Sequence, residues 1–139
     1  PEIVQTVKAF SGVDIQPFFT PHLLSVRRGI LASIYARLNP NFCGDNQKVF
    51  NVFREFYATY PLLRFAALGS PVSDALLQLK NVVGTPYTHL SFRVEGEKLF
   101  LFSTIDNLLK GAASQAVENF NILNNLPVTS GLVGMEARI

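Results

Sequence analysis

This sequence predicts an α+β domain: a mixed, mainly antiparallel sheet with helices packed on one face. Three observations lead there. Stretches with the 3.6-residue apolar period of a helix are separated by stretches with the two-residue period of a strand. Their order is helix, strands, helix, strands, helix, without the regular strand–helix alternation of a doubly wound fold. One pair of apolar arms flanks Glu95-Gly96-Glu97, the signature of a tight hairpin turn. Finally, 139 residues that are 48% hydrophobic and 16% charged suffice for one domain with a sizeable core.

Ile3, Val7 and Phe10 fall at helical spacing before Ser11-Gly12, which predicts a short opening helix with Pro1 suited to its first turn. Val13 to Phe19 reads as extended, and Pro17 and Pro21 confine it to an edge or bend because proline has no amide proton to give a ladder. From 26 to 38, Val26, Ile30, Ala32, Ile34, Ala36 and Leu38 alternate with Arg27, Ser33, Tyr35 and Arg37, a long strand with one buried side. Asp45 is the expected N-cap of a helix running to about Tyr60, with Val49, Val52, Phe53, Phe56 and Tyr60 as its apolar stripe, and Pro61 ends it. A short strand over 62–66 follows; 72–86 reads as mostly loop, with room for a short strand near 81–83. The hairpin spans 87–105, and its second arm, Leu99-Phe100-Leu101-Phe102, is apolar on both faces and so needs cover on both. A helix over 108–126, with Leu109, Ala112, Ala113, Ala116, Phe120 and Leu123 as its inner stripe, precedes a tail from Pro127 with room for one extended piece.

Several function classes fall away on composition. Twelve basic and ten acidic side chains leave a net charge of +2 with no like-charge run to track a nucleic acid or an anionic membrane. One cysteine, Cys43, and two histidines, His22 and His89, make neither an internal disulfide nor a Cys/His zinc site. No apolar run approaches the roughly 18 residues of a bilayer span, and there is no secretory signal pattern, so a cytoplasmic setting is expected. No glycine-rich dinucleotide or Walker motif and no catalytic triad occur. The first residues are Pro1 and Glu2, and the single methionine is Met135, which predicts that this is one domain of a longer polypeptide.

Among residues that carry chemistry, Cys43 precedes a helix, where a thiol pKa falls and its nucleophilicity rises, or it is an incidental loop cysteine. His22 is a general acid or base, or a histidine bonding backbone at a bend; His89, flanked by strand residues, reads as structural. Arg28, beside Gly29, offers a planar fork for carboxylate or phosphate on a rigid strand, or is a solvated surface charge, as Arg27 is taken to be. The run Asn107-Leu108-Leu109-Lys110-Gly111-Ala112-Ala113-Ser114 opens a helix with small residues, either to admit a cofactor or anion closely or to pack tightly on the sheet.

Three segments resemble one known family. Phe19-Thr20-Pro21-His22-Leu23-Leu24-Ser25-Val26-Arg27-Arg28-Gly29-Ile30 resembles the strand after the catalytic region of N-acetyl-gamma-glutamyl-phosphate reductases. Ile105 to Asn121 is similar to that family's closing helix, usually DNLVKGAAGQAVQNMN, and Pro1-Glu2-Ile3 matches its Pro-Glu-Ile. The resemblance implies the C-terminal domain of a glyceraldehyde-3-phosphate dehydrogenase-type enzyme that uses NADPH to reduce N-acetyl-glutamyl phosphate to the semialdehyde in arginine biosynthesis. A cysteine thiolate attacks the acyl phosphate there, a histidine assists and hydride reduces the thioester. The nucleophile, the catalytic histidine and the NADP-binding domain match nothing in this chain, which is therefore expected to be inert alone, with no catalytic residue of its own; Cys43 comes after the strand motif and does not match the nucleophile.

By the same resemblance, Arg28, His22 and Glu2 are expected at the substrate, and Asn107, Gly111 and Ala112 at the cofactor, with Ser114 in place of the usual glycine. Residues 1–106 then form the catalytic and dimerisation domain. Residues 107–139 form a closing helix and tail that pack on the NADP-binding domain, or otherwise on this chain's own sheet or a neighbouring chain. A homo-oligomer is expected. Two other readings stay open: a stand-alone ligand-binding or oligomerisation module without chemistry, and a related semialdehyde dehydrogenase acting on another acyl phosphate.

Overall fold

A computed structural model describes residues 2–134. Four strands form one sheet in the order β1-β4-β3-β2: β1 Ile30–Arg37, β2 Leu63–Ala67, β3 Thr88–Glu95 and β4 Lys98–Ile105. The β1–β4 and β3–β4 pairs are antiparallel and β2 runs parallel to β3, so the α+β class and the mixed, mainly antiparallel sheet hold. The predicted hairpin is present, turning through Gly96 at φ 56°, a conformation that glycine adopts without steric cost.

The opening helix, α1, spans Glu2–Ser11 and buries no residue. Helix α2, Asn46–Phe56, starts where expected: the Asp45 side chain accepts from the Lys48 amide. It stops a turn earlier than Tyr60 because the chain turns through Tyr57, and Tyr60 reaches across to the last helix. Val49 of α2 packs on Phe92 and Val94 of β3, with Phe53, Leu99 and Leu101 around them. Full burial of a side chain the size of Phe92 stabilises by about 2–3 kcal/mol.

The segment read as loop contains α3, Pro71–Leu76, capped reciprocally by Ser70 and Ser73, and then a 3₁₀ turn at Leu79–Asn81 where a short strand had room. Helix α3 touches the sheet face opposite α2. The Ser91 hydroxyl donates to the Ser73 carbonyl at 3.3 Å and Thr104 Oγ1 to the Leu76 carbonyl at 2.8 Å, while Phe92, one residue along β3, points into the α2 core. The helices are thus divided between the two faces rather than gathered on one. The second face of Phe100 is covered by the edge of Tyr35, 5.7 Å away, and by Arg93, not by a helix.

Two further expectations change. Strand β1 begins at Ile30, not Val26, because Gly29 takes a φ of 106° and the residues before it leave the sheet. The closing segment is a π-helical turn, Leu109–Ala113, followed by α4, Ser114–Leu123, and its buried side is polar: Ser114, Glu118 and Asn121. The predicted inner stripe faces out, with Phe120 60% and Leu123 81% exposed, so it does not fold onto this chain's sheet. The start of the tail is folded in turns held by the Asn121 amide, which donates to the Val128 and Ser130 carbonyls; Met135 and the rest of it lie outside the described residues.

Candidate functional site

The C-terminal end of β4 carries the densest polar arrangement. Asp106, fully buried, accepts from four donors drawn from three segments: the Arg28 Nε at 2.8–2.9 Å on both carboxylate oxygens, the Gly84 amide at 2.7 Å, and the Leu108 and Leu109 amides at 2.8 and 3.0 Å. Burial alone would raise its pKa. The Gly84 and Leu109 amides, the Arg28 guanidinium and the Leu108 amide outweigh that and hold the carboxyl below its ordinary value. It is therefore an anion at neutral pH.

Next to it, Asn107 Oδ1 accepts the Gly29 amide at 2.8 Å. The last ladder pair is Ile30 with Ile105, so this side chain extends the pairing by one step where the Gly29 backbone has turned away. Gly29 is required twice over: its φ is left-handed, and a Cβ there would meet Leu79 Cδ2 at 3.0 Å. Arg28-Gly29 and Asp106-Asn107, 78 residues apart, are thereby locked together. Because Asp106 engages the Nε edge, the terminal nitrogens of Arg28 have no partner among the described residues. Arg28 also lines a cleft of about 370 Å³ together with Val26, Arg27, Leu79, Lys80 and Val83.

Behind this end of the sheet, Glu118 of α4 is buried and ion-paired to Lys110, with Nζ–Oε distances of 2.7 and 2.8 Å. Tyr60 donates to Glu118 at 2.5 Å and accepts from Lys110. Burial and the adjacent Glu118 push the Tyr60 hydroxyl well above its ordinary pKa, so it stays a neutral donor. This triad fixes the first turn of the closing helix relative to the α2–β2 connection.

Of the residues predicted from sequence, Arg28 and Asn107 are brought together. Gly111 and Ala112 lie exposed on the adjoining π-helical turn, and the Gly111 amide donates to the Asp106 carbonyl at 3.0 Å. Glu2, in the first turn of α1, and His22, in the irregular segment before β1, are exposed and are not among the cleft's lining residues. Cys43 sits by the hairpin turn, where the Gly44 amide donates to the Gly96 carbonyl, at the opposite end of the sheet from Asp106. At about 3.3 Å per strand residue, the length of β4 puts it on the order of 20 Å away. His89, read as structural, is buried; burial first and then the Arg64 charge lower its pKa to about 4, so it is neutral at pH 7. Sequence reasoning missed Asp106 and Lys80. The signal for Asp106 was present: an aspartate two and three residues ahead of amides that open a helical turn is the pattern of a side-chain cap. No group of three metal-ligating side chains occurs among the described residues, and no helix there is long and apolar enough to cross a membrane.

Residues 1–107 match the family described as "Semialdehyde dehydrogenase, dimerisation domain". The chain belongs to this family. The chain is also similar, over nearly its whole length, to curated proteins that bear the expected name. It is 38% identical over 136 residues to the N-acetyl-gamma-glutamyl-phosphate reductase of Pelotomaculum thermopropionicum, covering 96% of this chain and 37% of that protein. Against the reductase of the same name from Symbiobacterium thermophilum it is 38% identical over 135 residues, with 96% and 37% covered. The Staphylococcus aureus protein is 36% identical over 134 residues, with 95% and 37% covered. The chain thus spans 37% of the length of these relatives.

Proposed function

We propose that this chain is the dimerisation and substrate-facing part of an NADPH-dependent N-acetyl-gamma-glutamyl-phosphate reductase, which converts the acyl phosphate to the semialdehyde and releases phosphate in arginine biosynthesis. The observation that carries this reading is the exchange that ties Arg28-Gly29 to Asp106-Asn107, because it joins the segment expected at the substrate to the one expected at the cofactor. The names of the relatives support it.

In this reading Arg28 binds an anionic group of the substrate through its terminal nitrogens, and Asp106 fixes the guanidinium plane from behind. The oxygen of Asn107 is committed to the Gly29 amide, so its NH₂ group remains to donate to a carboxamide oxygen, which suits a nicotinamide. At Gly111 a Cβ would meet only ordinary contacts, the nearest 3.6 Å away, so packing within this chain does not demand a small residue there. Small, exposed Gly111 and Ala112 fit close approach by a group from outside the chain. NADPH, when bound, supplies the hydride. Cys43 is too far from Arg28 to attack a substrate held there, so the attacking thiolate comes from another segment in this reading. Glu2 and His22 border the substrate only if α1 and the segment after it pack against that other part.

Pairing with a second copy is supported by the family description and by β1, whose Ile30, Leu31, Ile34 and Tyr35 are exposed although they alternate between its two faces. The outward stripe of α4, with Val117, Phe120 and Leu123, fits a contact with the NADP-binding domain, which leaves 1–106 and 107–139 as the two functional units. A soluble cytoplasmic enzyme is the corresponding setting. The test is the reaction itself. The complete protein carrying this domain should oxidise NADPH in the presence of N-acetyl-glutamyl phosphate, and Arg28→Ala should raise KM at least tenfold. Turnover that is absent in the complete protein, or kinetics unchanged by Arg28→Ala, would remove the assignment.

A further inference from the structure

The cleft in front of Arg28 is lined by three cations, Arg27, Arg28 and Lys80, and by no carboxylate. Among the described residues, one carboxylate neutralises any of them: Asp106, fully buried and paired with Arg28. Among the described residues neither Arg27 nor Lys80 has an ion-pair partner. Two uncompensated positive charges therefore share a cleft of about 370 Å³ whose other walls, Val26, Leu79 and Val83, are apolar.

Its two walls are held at a fixed spacing. Leu79 and Val83 abut Gly29, with Leu79 Cδ2 only 3.0 Å from where a Cβ would lie, so the 3₁₀ turn carrying Lys80 sits directly against the Arg28-Gly29 backbone. The Gly84 amide, just beyond that turn, is bonded to the same carboxylate that holds Arg28. Arg27 and Lys80 are exposed, so each attracts an anion only weakly by itself, and it is their gathering with Arg28 on one cleft that favours an anion there. A guanidinium fork with a free ammonium beside it matches a tetrahedral oxyanion, and two net positive charges match a dianion better than a single carboxylate.

We infer that Lys80 and Arg27 complete, with Arg28, a site for a phosphate dianion, and that Lys80 is a specificity-determining residue for phosphate over carboxylate. This deepens the reductase reading and rests on it for the source of the phosphate, the acyl phosphate or the released ion. Lys80 lies in a stretch that carries no recognisable motif, and its role is visible only from the shared cleft.

Titration of this chain with inorganic phosphate, followed through the amide resonances of 26–29 and 79–84, tests the site without any turnover. Saturable shifts are expected at those residues. Lys80→Gln should weaken phosphate binding about tenfold and Arg27→Gln severalfold, Lys80→Arg should restore most of it, and acetate should bind more weakly than phosphate. Phosphate binding unchanged in Lys80→Gln, or wild-type preference for acetate, overturns the proposal. A second measurement uses the complete enzyme run in the oxidative direction. There Lys80→Gln should raise the KM for phosphate with kcat nearly unchanged, and an equal KM in the two proteins overturns the proposal as well. If the complete protein proves not to be a reductase but the chain binds phosphate through Lys80, the functional reading fails and the site stands.

Discussion

Strands β3 and β1 lie in the same sheet, separated only by β4, yet they have opposite surroundings. Helix α2 covers one face of β3 and α3 the other, and His89 through Phe92 are all buried. Among the described residues no helix covers β1: seven of its eight residues are exposed, apolar Ile30, Leu31 and Ile34 among them. The segment leading into it is more exposed still, with Phe18 and Leu23 fully open to solvent. Apolar content does not explain this, because β1 is the more apolar of the two strands; what differs is whether a helix of the same chain is close enough to shield it. The β2–β3–β4 half is therefore a self-sufficient core, and the β1 half holds hydrophobic surface that only another body can bury.

Mutations that probe each half should separate the two in the order of their size. Phe92→Ala, in the doubly covered strand, should cost about 4 kcal/mol in urea unfolding, because it leaves a cavity between α2 and the sheet. At the seam between the halves, Asp106→Ala should cost about 3 kcal/mol and loosen the Arg28 loop, since it strands a half-buried guanidinium and three amides together. A loss below 1 kcal/mol would mean that the seam is not held by this carboxylate.

The buried histidine gives a pH test of the covered half. Its folded pKa of about 4 lies below the ordinary 6.5, so between those values the unfolded chain binds a proton that the folded chain does not. Stability should be unaffected by this group above pH 7 and should fall by about 2 kcal/mol as pH drops from 6.5 to 4. His89→Leu should flatten that window in pH-dependent urea melts; an unchanged slope would place the protonation elsewhere. The smallest effect on stability belongs to the exposed half. Phe18→Ser with Leu23→Ser should change unfolding by less than about 0.5 kcal/mol while weakening self-association in sedimentation equilibrium. A large loss of monomer stability would mean that these side chains are packed within one chain.

What could be read from residues alone was whatever depends on near neighbours in the chain. Asp45 caps α2, the Glu95-Gly96-Glu97 turn closes the hairpin, and Pro61 and the Gly69-Ser70-Pro71 turn bracket the short strand β2, because caps and turns act within a few residues. The short α3 was legible in principle from Ser70-Pro71, but six residues give too little periodicity to outweigh the flanking turn residues. The closing helix differs from its periodicity in orientation, not existence. Its apolar stripe predicts an inward face, whereas the ion pair of Glu118 with Lys110 and the Tyr60 hydrogen bond turn the polar side in.

The candidate site divides in the same way. Residue types and local spacing mark Arg28-Gly29 and the run from Asn107 to Ser114 as unusual for their elements, and they show what chemistry an arginine fork and an amide can offer. Only the tertiary structure decided that they meet, that one buried carboxylate organises both, and that Lys80 joins them across a cleft. The physical reason is range: a cap or a turn is stabilised by neighbours along the chain, whereas Asp106 is satisfied by donors as far as 78 residues away, which no local pattern encodes.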